Sequence, residues 1–369
     1  MLVGGKHYKS LWTDDSDPAV IRAIDQKKLP FFFEVLEMRS VDDIFNAIRE
    51  MSVRGAPAIG AAGAFGIYLA TLEITSATDI RHHLDNAARY LISCRPTAVN
   101  LSWAVNHVLK KLGGINDTHL LADVGRKTAV EICRTEEENC RQIGIHGLKL
   151  IEAISIRKDK NPVNILTHCN AGWLACIDYG TVTSPVYLAH EKGIPVHVWV
   201  DETRPLNQGA RLTAWELGQA GVPHTLITDN AGGHLMQHGM VDLVLVGSDR
   251  TSRRGDVANK IGTYLKALAA HDNKIPFYSV FPSSSLDPET DDALAEIPVE
   301  EREPEEVTTV TGMAAGKIET VRICPEDTPA ANYGFDVTPA KYITGFITER
   351  GICKVSEKDI RKMFSDKFS

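Results

Sequence analysis

Two residues of this 369-residue chain stand where side chains do chemistry. The first is Cys169, in the stretch NILTHCNAGWLA (164–175). Asn164-Ile165-Leu166 reads as the end of a buried strand, and Asn170-Ala171-Gly172 as a turn opening a helix. A thiol at such a turn feels the helix N-terminus, which favours thiolate and lowers the pKa. The competing reading is a buried cysteine acting as a small hydrophobe, a role that suits Cys176, seven residues on, better. His168 makes a poor partner base, because neighbouring strand residues point to opposite faces. The second residue is Asp249, in LVLVGSDR (243–250). Partial burial after an apolar run would raise its pKa and fit it to serve as a general acid near neutrality. A cap, or an ion pair with Arg250 or Arg253, is the alternative.

Four further stretches have the make-up of anion sites. VRGAPAIG (53–60) sets Arg54 and exposed backbone amides before a helix that opens at Pro57. CRPTAVN (94–100) sets Arg95 before another helix start, and NQGARLTA (207–214) offers Gln208, Gly209 and a third. GDVANKIGTY (255–264) is expected to carry Asn259 and Lys260 in the first turns of a helix. Each alone is more often a capped or solvated turn. Neither a Walker lysine motif nor GxGxxG occurs, so nucleotide binding has no support.

The elements that must position these residues follow two rhythms. From about residue 40 to 150 the pattern is helical, with apolar residues spaced by three and four in 41–51, 57–73, 78–94, 97–112 and 118–151. AISIRKDKNP (153–162), charged and ending in proline, reads as the join between domains. Beyond it come five strand-like runs, 163–168, 195–202, 224–229, 242–249 and 276–282, most of them separated by helical stretches. That alternation predicts a parallel sheet. The fold class is therefore α/β: a mainly helical N-terminal domain over 1–155 and a Rossmann-like catalytic domain over 156–369. In open parallel sheets ligands bind beyond the carboxyl ends of the strands. The polar ends Thr167–Asn170, Asp201–Arg204, Thr228–Asn230, Gly247–Arg250 and Ser283–Ser285 should thus converge on one crevice.

Composition narrows the function classes. With 40 basic and 48 acidic residues the formal charge is −8, which argues against a nucleic-acid-binding surface while leaving room for one phosphate pocket. No apolar run approaches the roughly 18 residues of a membrane helix, and MLVGGKHYKSLWTDD lacks the apolar core of a secretory signal. Seven cysteines, an odd number spread through a long chain, fit a reducing cytosol rather than a disulfide framework. Six residues separate Cys133 from Cys140 and Cys169 from Cys176, too many for a zinc knuckle, so no metal site is expected.

Seven regions, in order, resemble the methylthioribose-1-phosphate isomerase family: IDQKKLP, MSVRGAPAIG, LTHCNAG, DETRPLNQGARLTAWEL, ITDNAGG, GSDR with GDVANKIGTY, and FDVTPAKYITGFITERG. The likeness runs from about residue 24 to 352. The wider superfamily includes the alpha, beta and delta regulatory subunits of the translation-initiation guanine-exchange factor and archaeal ribose-1,5-bisphosphate isomerases. The resemblance implies an aldose–ketose isomerase of methionine salvage, with Cys169 and Asp249 as the catalytic pair. It also implies that Arg54, Gly55, Ala56, Arg95, Gln208, Asn259 and Lys260 bind the sugar phosphate, chiefly its phosphate. Ser248, where the family often has alanine, is a small departure. No metal or redox cofactor is implied, and the implied assembly is a homodimer in the cytoplasm, with the nucleus as a second location. The alternatives are a ribose-1,5-bisphosphate isomerase and a non-catalytic regulatory subunit of the same fold.

Overall fold

A computed structural model describes residues 1–14, 16–95 and 98–368. Packing divides the chain into two compact units. The first comprises Met1–Lys28, Phe33–Arg141 and Gly172–Gly180; the second comprises Leu29–Phe32, Gln142–Ala171 and Thr181–Ser369. The sequence places the join at 155/156, whereas the main division falls inside a long helix, after Arg141.

After a short antiparallel hairpin of Leu2–Val3 with Lys6–His7, unit 1 has a three-stranded antiparallel sheet, β1 (Leu11–Thr13), β2 (Ile21–Ile24) and β3 (Val35–Met38). Five helices follow: α1 (Val41–Arg49), α2 (Ala56–Leu72), α3 (Ile80–Ser93), α4 (Val99–Leu112) and α5 (Thr118–Arg157). These match the expected helical stretches closely; Thr97, where the sequence reading begins the fourth, lies outside the described residues. A reciprocal Ser40–Asp43 capping box starts α1. Helix α2 has no polar face and is buried from Pro57 to Thr71, as a helix that is apolar all round must be. Gly60 and Gly63 let α4 approach, Gly60 beside Asn100 and Gly63 beside Leu101 and Val105. Contacts rising together along both chains make the two helices parallel, with their N-termini at one end.

Unit 2 alternates strands and helices: β4 (Val163–Thr167), α6 (Thr183–Glu191), β5 (Val196–Asp201), α7 (Ala214–Gln219), β6 (His224–Ile227), α8 (Ala231–Gln237) and β7 (Leu243–Val246). Then come β8 (Arg250–Ser252), β9 (Val257–Lys260), α9 (Thr263–Asp272), β10 (Phe277–Val280), β11 (Leu286–Asp287), β12 (Phe335–Thr338), β13 (Gly345–Thr348) and β14 (Gly351–Cys353). The main sheet has the order β14-β13-β10-β7-β4-β5-β6 and is parallel except for β14. All five strand-like runs are in it. The chain lays down β4, β5 and β6 in one direction, then returns to place β7, β10 and β13 on the other side of β4. That is the Rossmann order, and its switch point lies between β4 and β7.

A smaller sheet, β11-β8-β9-β12, accounts for a misread segment. The sequence places Asn259 and Lys260 in the first turns of a helix, but Val257–Lys260 is a buried strand and α9 begins only at Thr263. The four-residue apolar–polar run is too short for its period to separate strand from helix, and pairing with both β8 and β12 decides it. Among the described residues, no helix is long and apolar enough to cross a membrane.

Phe346 on β13 is fully buried and meets Phe281 edge-on at 5.0 Å between ring centroids. Truncation to alanine removes that contact and leaves a cavity, so Phe346→Ala should cost about 3–5 kcal/mol. Urea unfolding of both proteins measures it; a loss below about 1 kcal/mol would mean that this core can collapse around the gap.

Candidate active site

Cys169 leaves the end of β4 with φ +64°, in the left-handed region that costs a residue bearing a Cβ. Both of its peptide groups are pinned. Its N–H donates to Thr203 Oγ1 at 2.8 Å, and its carbonyl accepts from Thr213 Oγ1 at 2.7 Å. Thr203 is itself left-handed, at φ +66°, and fully buried. Asp229 holds it there, one carboxylate oxygen accepting from the N–H of Thr203 and the other from that of Arg204, each at 2.7 Å. Asn170 donates to Thr213 and to buried Glu216 at 3.1 and 3.0 Å. The ends of β4, β5 and β6 are thereby tied together.

The helix expected after Cys169 is absent. Trp173–Ala175 form a single 3-10 turn, and the next α-helix, α6, starts at Thr183. Asn170 is drawn into the Thr213–Glu216 network instead of capping a helix. The thiol's electrostatic setting therefore comes from side chains. Cys169 Sγ lies 3.2 Å from Gln208 Oε1, which accepts from the thiol. Lys260, at the end of β9, feels the charges of both Cys169 and Asp249. Burial pushes its ammonium down from the usual lysine value and Arg302 adds to this, while Cys169, Glu306 and Asp249 pull the other way.

Asp249 follows β7, across the switch point from Cys169, and its N–H donates to the carbonyl of Ala258 beside Asn259 at 3.1 Å. The expected rival partners are occupied elsewhere: Arg250 binds Asp287 and Arg253 binds Asp291, at 2.7 and 2.8 Å. Asn259 and Lys260 sit on β9, not on a helix, and both are buried, with Asn259 Nδ2 donating to Thr263 Oγ1 at 2.9 Å. Gln208 precedes a π-helical turn, Gly209–Thr213, that runs into α7. Only glycine fits at 209, since a Cβ there would lie 1.7 Å from the carbonyl oxygen of Asp201.

The remaining expected site residues belong to unit 1. Arg54 is buried, and Gly55 caps α2 with φ +90°. A Cβ on Gly55 would fall 2.4 Å from the carbonyl oxygen of Ala175, so both conformation and space require glycine. Ala56 is the first residue of α2, and Arg95 lies between α3 and α4. Unit 1 thus gathers Arg54, Gly55, Ala56 and Arg95 toward the shared N-terminal end of α2 and α4, while unit 2 gathers Cys169, Gln208, Asp249, Asn259 and Lys260. Sequence reasoning missed Thr203, Thr213 and Asp229, which act on backbone groups. The polar strand ends named two of the three, but gave no sign of what they hold.

One trio, His168, Asp201 and Asp229, brings a ligand-type atom from each within 4.8 Å of the others. Lys266 already supplies a positive charge there, its ammonium 3.0 Å from Asp201 Oδ2 and donating to the Asp229 carbonyl. The Lys266 ammonium thus already meets the acids of this trio.

A Rossmann-ordered sheet with a thiol and a carboxylate at its switch point defines the class: an α/β protein with a candidate site at its strand ends. The family model described as "Initiation factor 2 subunit family" matches residues 52–355. Methylthioribose-1-phosphate isomerase of Desulfatibacillum aliphaticivorans is 54% identical over 367 residues, covering 100% of each chain. The crystal structure of 5-methylthioribose 1-phosphate isomerase from Pyrococcus horikoshii superposes with a TM-score of 0.84 at 39% identity, covering 98% of this chain and 97% of that one. A structure described as translation initiation factor eIF-2B, subunit delta, from A. fulgidus gives 0.80 at 37% identity, with 97% and 100% coverage. The chain belongs to the methylthioribose-1-phosphate isomerase family, within the initiation factor 2 subunit family. A nuclear location finds no support among these bacterial and archaeal relatives.

The lowered pKa of Lys260 has a measurable sign. Its ammonium is intact below that pKa and is lost as pH rises through it, earlier than for an ordinary lysine. Sulfate stays a dianion over this range, so its affinity, followed by calorimetry, should fall on the alkaline side before the ordinary lysine region. Lys260→Arg should hold sulfate to higher pH, because a guanidinium does not deprotonate there. Equal pH profiles for the two proteins would remove Lys260 from anion binding.

Proposed function

We propose that this chain converts 5-methylthioribose 1-phosphate, an aldose, into 5-methylthioribulose 1-phosphate, a ketose, with Asp249 as general acid and Cys169 at the reacting carbons. The observation that carries this reading is the pairing of Cys169 and Asp249 across the switch point, with Lys260 electrostatically coupled to both. The anomeric oxygen of the substrate carries phosphate, so the ring cannot open as a free sugar's does. Asp249 protonates the ring oxygen as its bond to C1 breaks. Cys169, as thiolate, then takes the proton from C2 to give an enol; the thiol returns a proton to C1 while the C2 hydroxyl gives its own to the Asp249 carboxylate, which leaves the ketone at C2 and restores both groups. In the alternative course hydride moves directly from C2 to C1, Cys169 stabilises the cation that develops, and the C2 hydroxyl proton passes to the Asp249 carboxylate to leave the ketone. Reaction in deuterium oxide separates the two: solvent deuterium enters C1 only by the proton route.

The family resemblance assigns Arg54, Gly55, Ala56, Arg95, Gln208, Asn259 and Lys260 to binding the sugar phosphate, and each assignment is open to test by substitution. The substrate is both oxidised at C2 and reduced at C1, so the reaction needs no redox cofactor. The reading extends to a homodimer in the cytoplasm. Activity on ribose 1,5-bisphosphate is the nearer rival; it needs cations for a second phosphate, where a methylthio group needs an apolar pocket, and one assay with both sugars decides. A purely regulatory role is raised by the likeness to the A. fulgidus protein. It predicts no turnover of either sugar.

Cys169→Ser replaces a soft ionisable group by a hydroxyl of far higher pKa, and Asp249→Asn removes the transferable proton. Each should lower kcat by well over tenfold while leaving the fold intact, as judged by circular dichroism. A loss under about tenfold, some 1.4 kcal/mol in barrier, would remove that residue from the mechanism. Phosphate contacts are similar in ground and transition states. Arg54→Ala is therefore expected to raise KM more than it lowers kcat, and a normal KM would place the anion elsewhere.

A further inference from the structure

His168 precedes Cys169 and is buried, with 1% of its surface exposed. Its Nδ1 lies 3.0 Å from Asp201 Oδ2, and its Nε2 lies 2.7 Å from the carbonyl oxygen of Ile261. A backbone carbonyl can only accept, so Nε2 carries a proton. Asp201 Oδ2 also receives the ammonium of Lys266 at 3.0 Å, which leaves no reason for a proton to sit on that oxygen. Nδ1 must then donate as well. With both nitrogens donating, the ring is an imidazolium.

Its position gives that charge a purpose. Asp201 ends β5 and leads, through Thr203, into the turn that carries Gln208. Ile261 directly follows Lys260. Gly262 packs so tightly on the ring that a Cβ would come within 3.0 Å of it. One side chain therefore fixes the strand ends that present the thiol, its hydrogen-bond acceptor and the buried lysine. We infer that His168 is a positioning residue, held as the imidazolium, that sets Cys169, Gln208 and Lys260 in their working geometry. The groups facing it from the packed elements are Asp201, Asp229 (3.9 Å from Nδ1), Lys266 and Asp336, so its charge sits among acids as well as a second base.

Two measurements test this. Long-range proton–nitrogen correlation on the whole protein labelled at histidine should show both ring nitrogens of His168 protonated at the pH of the assay. A neutral ring, with one bare nitrogen, would overturn the inference whatever the activity. The second measurement compares His168→Phe, which keeps a ring without donors, with the parent. The kinetic part rests on the isomerase reading. For the folded variant kcat should fall at least about tenfold, with KM changing by less than about threefold. Alkylation of Cys169 by iodoacetamide, followed by mass spectrometry, needs no substrate and should slow severalfold as the thiolate loses its setting. Turnover and alkylation both within twofold of the parent would reduce His168 to a core residue. A parent that isomerises neither sugar would count against the isomerase reading alone, since the spectrum and the alkylation rate still decide the role of His168. If His168→Phe fails to fold, the charge state in the parent decides.

Discussion

The site depends on one backbone constraint: Cys169 is held in a conformation that residues with side chains avoid. Left-handed backbone at such a residue costs of order 1–3 kcal/mol and persists only where the surroundings over-determine it. Here they do. Thr203 and Thr213 take up the N–H and the carbonyl of Cys169, and Asp229 fixes Thr203, which is left-handed too. The hydrogen bonds stabilise the turn by more than its conformation costs, since each would otherwise leave a buried polar group unmet. Three strand ends are braced as a result, and the thiol is aimed from a rigid platform rather than from a mobile loop.

Charge is managed by the same principle of mutual satisfaction. Asp201 is wholly buried, yet it faces His168 and Lys266, and the Asp229 main chain meets Lys266 as well. A buried ion left alone would cost several kcal/mol, so these groups stand or fall together. Lys260 differs. It is almost as buried, but its balance is incomplete, and its pKa drops because burial outweighs the attraction of Cys169, Glu306 and Asp249. A buried cation short of negative charge is a standing attraction for an anionic ligand, which supplies what the protein withholds. The two lysines, six residues apart, thus do opposite jobs: Lys266 is satisfied by the fold, and Lys260 is left to be satisfied by something else.

Strand chemistry was legible because burial leaves a simple mark. The five apolar runs ending in polar residues became five parallel strands with those residues at their carboxyl ends. The helices of unit 1 were equally plain, because period and capping agree, as at Ser40 and Asp43. The segment around Asn259 and Lys260 was not. Val-Ala-Asn-Lys carries no period long enough to choose, and pairing with the nearby Arg250–Thr251 and with Phe335–Thr338, far along the chain, makes it a strand. The turn after Cys169 failed for a related reason. Asn-Ala-Gly is ordinary helix-opening chemistry, and what overrides it is a threonine and a glutamate more than forty residues ahead. Local signals read local structure; these two segments answer to tertiary partners.

That difference bears on whether the fold binds or catalyses. A scaffold could keep the Rossmann order and the apolar strands while letting its strand ends drift, since fold alone does not fix function. This chain retains the costly parts as well. A left-handed cysteine, a left-handed threonine behind it and a buried lysine whose pKa burial drives down each carry a cost that a passive scaffold has no use for. Strain and unbalanced charge gathered around the Cys169 thiol and the Asp249 carboxylate are what pre-organisation for reaction requires, since dipoles and charges fixed beforehand need not reorganise as the transition state forms. The energetic losses, more than the fold, therefore favour catalysis.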